Sequence, residues 1–79
     1  MISRDVLTNQ VNLIVDRLEV IENCGDGALI HEARHFLCII RGQHALSDWV
    51  GHEAEHTKKC LEYMQDAETW LVSLVKGVS

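Results

Sequence analysis

Proline is absent from this chain of 79 residues, glycine occurs five times, and phenylalanine and tyrosine occur once each. Without proline no backbone donor is lost and no ring clashes with a preceding helical turn, so only glycines and capping side chains are left to interrupt a helix. Long apolar runs are missing as well. The longest is Phe36 to Ile40, far short of the roughly 20 residues a membrane span needs. Near the start, Arg4 and Asp5 stand where a secretion signal needs a continuous apolar core, so neither export nor a membrane span is expected. Cysteine is sparse and odd in number: residues 24, 38 and 60 lack Cys-x-x-Cys spacing. A disulfide framework is therefore not expected, and a reduced, cytoplasmic setting is.

Clustered positive charge is a further absence. Seven basic side chains are scattered among twelve acidic ones, for a net charge of −5, and Lys58–Lys59 is the only adjacent pair. Phosphate recognition needs grouped lysine and arginine, which excludes direct nucleic-acid binding as the expected role. There is no glycine-rich phosphate loop and no Gly-x-Ser-x-Gly, and Ser3, Ser47, Ser73 and Ser79 lack histidine and acid partners at useful spacing. Low-complexity stretches are also lacking.

What is present is helical periodicity. The hydrophobic fraction is 47%, enough for one domain over residues 1–79 that buries about 60% of its unfolded surface. Such a domain is marginal alone, so self-association or a metal ion would be a natural source of added stability. Val6, Leu7, Val11, Leu13, Ile14, Leu18, Val20 and Ile21 recur at threes and fours, which predicts a first helix over about 4–24. Ser3 is its expected N-cap and Ile2 is expected to staple onto Leu7. Asn23 to Gly27, "NCGDG", should end the helix through a left-handed glycine.

Leu29, Ala33, Phe36 and Ile40, with Ile30 and Leu37 beside them, predict a second helix over about 27–41, capped at Asp26 or Gly27. Gly42 is the expected stop and Ser47 the expected cap of a third helix over about 47–76. The expected fold is thus an all-α, three-helix bundle with helices two and three as an antiparallel hairpin. The alternative is one long helix over 28–76, since the four-three spacing of Leu29, Ala33, Phe36 and Ile40 runs on through Gln43 and Ser47 into Val50 and Ala54.

The third helix carries two seams. Val50, Ala54, Thr57, Leu61, Met64, Glu68, Leu71 and Val75 form one; Trp49, Glu53, His56, Cys60, Tyr63, Ala67, Trp70 and Leu74 form the other. So wide an apolar arc is either covered by both other helices or exceeds what the chain itself can cover. Both tryptophans and the tyrosine lie on the second seam, and such residues anchor interfaces. Trp49, Glu53, Tyr63, Ala67, Trp70 and Leu74 are the candidate interface, with a homodimer or another protein as partner.

A repeated pentad carries the remaining chemistry. "HEARH" (His31 to His35) and "HEAEH" (His52 to His56) both match the His-Glu-x-x-His pattern, 21 residues apart. Histidines at i and i+4 share a helix face and can both reach a zinc ion, with the glutamate as general base on bound water. The same residues read as Glu32 with His35 and Glu53 with His56 have the Glu-x-x-His spacing of di-iron and di-manganese bundles, with Glu19 and Glu22 of helix one as further donors. A hairpin closed about residues 41–46 would set His31 level with His56 and His35 level with His52. Candidate metal ligands are therefore His31, His35, His52, His56, Glu32 and Glu53, for zinc or for iron or manganese. Two features oppose this. His31, His35 and Cys38 face away from the apolar stripe of helix two, and so short a chain has no room for a peptidase cleft. Glu53 in an apolar arc needs a partner, and Arg17 on helix one, within the chain or across a dimer, is the expected one. The favoured expectation is a small acidic interaction module that self-associates and regulates or inhibits a larger partner, with no catalysis and no cofactor; a metal-binding bundle is the alternative.

Overall fold

The computed structural model describes residues 3–78, and side chains as far as residue 75. Three helices follow one another: α1 (Arg4–Cys24), α2 (Gly27–Leu46) and α3 (Glu53–Val78). The expected all-α three-helix bundle is borne out, and among the described residues there is no strand. None of these helices is long and apolar enough to cross a membrane. The bundle is elongated, 43 × 20 × 16 Å.

Local chemistry explains where the first two helices begin. The Ser3 side chain accepts a hydrogen bond from Val6 N at 3.2 Å, and Asp26 Oδ1 accepts one from Leu29 N at 3.1 Å. Each satisfies a first-turn amide that has no partner within its helix. The staple expected of Ile2 lies outside the described residues. Gly25 closes α1, but in an extended conformation (φ −82°, ψ 175°) rather than a left-handed one. Crowding is what requires glycine here: its N–H donates to Ile21 O at 2.7 Å, and a Cβ would stand 2.7 Å from that same oxygen.

The break between α2 and α3 differs from expectation. Gly42 does not stop α2, which continues to Leu46, and Ser47 caps its C-terminal end instead of opening α3. One interior glycine costs a helix about 1 kcal/mol, and contacts beyond it outweigh that. His44 meets Thr8 across the bundle, and Gln43 meets His56. The chain turns over residues 47–52 through bonds from Asp48 N to Ala45 O, Trp49 N to Leu46 O and His52 N to Trp49 O. Gly51 supplies the positive φ, +87°, that this turn requires. The alternative single helix over 28–76 is thereby excluded.

The later turn also moves the hairpin register. Cys60 lies against Ile40 O and His56 against Gln43, so α2 and α3 run antiparallel with Ala33 level with Ala67. Both alanines are completely buried, and their small size lets the helix backbones approach closely. His31 is consequently displaced from His56 by roughly 19 Å along the axis, contrary to the pairing expected from a turn at 41–46.

The core joins Leu7, Val11, Ile14, Val15 and Leu18 of α1 to Ala33, Leu37 and Ile40 of α2 and to Cys60, Met64, Ala67 and Leu71 of α3. The α3 residues come from both of its seams, so α1 and α2 together cover the inner part of the wide apolar arc. At one end a polar clasp ties α1 to α2. Arg4 donates to His44 O at 3.1 Å and to the Ser47 hydroxyl, and pairs with Asp48 at 3.0 Å. Ser47, though buried, is satisfied by donating to His44 O at 2.6 Å. Along the flank, Glu22 pairs with Arg34 and Glu19 with Arg41.

Candidate interaction face

The three helices do not close evenly: α2 packs well against both neighbours, while α1 and α3 meet sparsely along their length. Between α1 and α3 runs a shallow groove. Its first part is lined by Gln10, Leu13, Ile14, Arg17, Leu61, Met64, Gln65 and Glu68, and its continuation by Arg17, Ile21, Leu71, Leu74 and Val75.

Apolar side chains flank this groove on both helices. On α1, Val6, Leu13 and Val20 recur every seven residues and are exposed, Leu13 at 68% and Val20 at 62%. At 100° per residue this stripe lies about 120° around the helix from the buried seam of Leu7, Val11, Ile14 and Leu18. On α3, Val72 and Val75 are exposed, the latter at 75%. One cation and one anion, Arg17 and Glu68, line the first part of the groove from opposite walls. Among the described residues neither forms an ion pair within the chain. A second exposed apolar feature is the turn tip, where Trp49 and Val50 stand free of the bundle.

The candidate interface residues distribute differently from the seam that grouped them. Ala67 lies in the chain's own core, and Tyr63 and Trp70 are half-buried against that core. Trp70 packs on Phe36 of α2 with ring centroids 5.6 Å apart. Leu74 is half-buried at the groove's end. Trp49 lies on the turn, and Glu53 begins α3, where its carboxylate accepts from Gly51 N at 3.0 Å. That position removes Glu53 from any apolar arc, and it forms no pair with Arg17 within the chain.

The two pentads also separate. His31 and His35 are exposed on the outer side of α2. His52 and His56 lie together at the start of α3, ring centroids 6.3 Å apart, with Glu55 3.8 Å from His52 Nδ1. His56 Nδ1 donates to Gln43 Oε1 at 2.7 Å. Glu32 is half-buried on α2, and Glu19 and Glu22 are engaged by arginines. Among the described residues no three His, Cys, Asp or Glu side chains are grouped so as to hold one metal ion.

Three titrations are shifted by their surroundings. Desolvation, with Arg4 beside it, lowers the pKa of His44, and Asp48 opposes this only partly. Burial raises that of the Cys60 thiol, which keeps it protonated and inert. A hydrogen bond from Lys59 and the Lys59 charge lower that of Glu55 at the surface. Sequence reasoning missed the α1 stripe because it pooled Val6, Leu13 and Val20 with the buried seam, and Leu7, Ile14 and Ile21 of that seam recur at the same seven-residue spacing one position later. No known family model, curated protein or solved structure matches this chain.

Proposed function

We propose that this chain is a small acidic interaction module that works by occupying a protein surface, without catalysis, and that the α1–α3 face is its working surface. The observation that carries this reading is the exposed stripe of Val6, Leu13 and Val20 beside a groove that the third helix leaves open. An apolar stripe in heptad spacing is costly to leave in water and is the pattern helices use to receive another helix. The acidic surface around it keeps the unbound chain soluble. A Leu13→Glu/Val72→Glu variant tests the reading in extracts of cells that make the chain. The wild type is expected in species larger than the 9.0 kDa monomer, and the variant at monomer size with unchanged helical content. A wild type that sediments as a free monomer overturns the reading.

A second reading, metal binding, is favoured by one observation. The bond from His56 Nδ1 to Gln43 Oε1 fixes the tautomer that leaves Nε2 free to bind a cation, one turn from His52. Two histidines are half of a tetrahedral zinc site, so a metal here needs water or a second chain to complete it. Calorimetric titration with zinc tests this: heat lost in His56→Ala supports it, and no heat in the wild type rejects it.

A further inference from the structure

We infer that the α1–α3 face is occupied by a second copy of this chain, related by a two-fold axis parallel to the helices, so that α1 of each copy lies on α3 of the other. This rests on the reading of that face as the working surface and names its occupant.

Charge is the first argument. Among the described residues the two walls of the groove carry one cation and one anion that form no ion pair within the chain, Arg17 on α1 and Glu68 on α3, both lining its first part. A two-fold axis along the helices brings Arg17 of one copy to Glu68 of the other, twice over. An axis across the helices would set Arg17 against Arg17 and Glu68 against Glu68, an arrangement that like charges oppose. The face is therefore complementary to itself in one orientation. A partner that was a single unrelated helix would not require opposite charges on the two walls of the groove.

The apolar residues agree with that orientation. Leu13 and Val20 on α1 lie one turn to either side of Arg17, and on α3 Leu61 precedes, and Val72 and Val75 follow, the polar pair Gln65 and Glu68. Superposing α1 on α3 of the other copy brings Val20 near Val72 and places both charges inside an apolar surround. Size is the third argument. The face runs the length of α1, about 31 Å, across a bundle no wider than 20 Å. That is on the order of 600 Å² in projection, close to the roughly 800 Å² per partner of a stable interface.

The test is sedimentation equilibrium of the purified full chain from low micromolar to submillimolar concentration, with charge-reversal variants. The wild type is expected to pass from 9.0 kDa toward twice that mass. Arg17→Glu and Glu68→Arg are each expected to weaken association at least about tenfold, and the double variant to recover most of it, since reversal of both charges restores each pair. Both positions exchanged lie on the exposed surface, and far-UV circular dichroism confirms that each variant remains helical. A wild type that is monomeric throughout overturns the inference, as does a dimer that both single reversals leave unchanged or that the double reversal fails to restore. A monomeric purified chain that still runs in larger species in its native extract, and loses them with Leu13→Glu/Val72→Glu, refutes the second copy while leaving the working surface in place.

Discussion

Replacing Ala67 by leucine separates a core position from a surface one. In the sequence, Ala67 sits on a seam with Tyr63, Trp70 and Leu74 and reads as part of an interface; in the fold it is 0% exposed and level with Ala33, also 0% exposed. The two alanines set how closely α2 approaches α3. A leucine adds three carbons where the facing position leaves no space, and overpacking of this kind costs about 1–3 kcal/mol. Helix propensity contributes little, since alanine and leucine differ by only a few tenths of a kcal/mol. For a domain of this size about 2 kcal/mol lowers Tm by roughly 8–16 °C. Thermal unfolding followed at 222 nm reads the change, with Glu62→Leu on the exposed side of α3 as the control. An unchanged Tm for Ala67→Leu would refute the register that places these two alanines together.

Further outcomes follow from the same geometry. Gly42→Ala is expected to stabilise the chain by about 0.5–1 kcal/mol, because Gly42 is helical, exposed and has open space at its Cβ; a loss of stability in urea unfolding would restore the turn at that glycine. Stability is expected to fall as the solution is acidified below the ordinary histidine range. His44 has a lowered pKa in the fold, so the unfolded chain binds its proton more readily, and the His44 contribution is complete above about pH 6.5 and lost below it. His44→Gln should flatten that part of the Tm profile, and an unaltered profile would remove His44 as its source. With a thiol reagent, Cys24 and Cys38 should react promptly and Cys60 only on unfolding, as their exposure dictates; prompt reaction of all three would show an open core.

Much of the fold is legible in the chain because local signals and tertiary packing agree there. Ser3 and Asp26 are capping residues at the head of periodic segments, and each makes the bond its chemistry predicts. The α2–α3 turn was less legible. Glycine at 42 gives a strong local signal, but His44 and Gln43 gain partners 36 and 13 residues away, and no local rule weighs such contacts. That shift of the turn carries His56 from His31 to Gln43, which is why the repeated pentads do not meet. The proposed working face was hardest to see. On α1 the buried and exposed apolar residues interleave in the sequence, and only the packing of α2 and α3 decides that Ile14 is covered while Leu13 is not.

The most direct measurement is site-specific photocrosslinking with a photoreactive residue at position 13 on α1, at position 72 on α3 and, as a control, at position 38 on the outer side of α2. Adducts formed in cells at 13 and 72 but not at 38 are the expected result, because position 13 lines the open groove and position 72 lies one turn from Glu68 on its α3 wall, whereas position 38 is on α2. Adducts at 38 alone, or at none of the three, would contradict the assignment of the α1–α3 face as the surface through which this protein works.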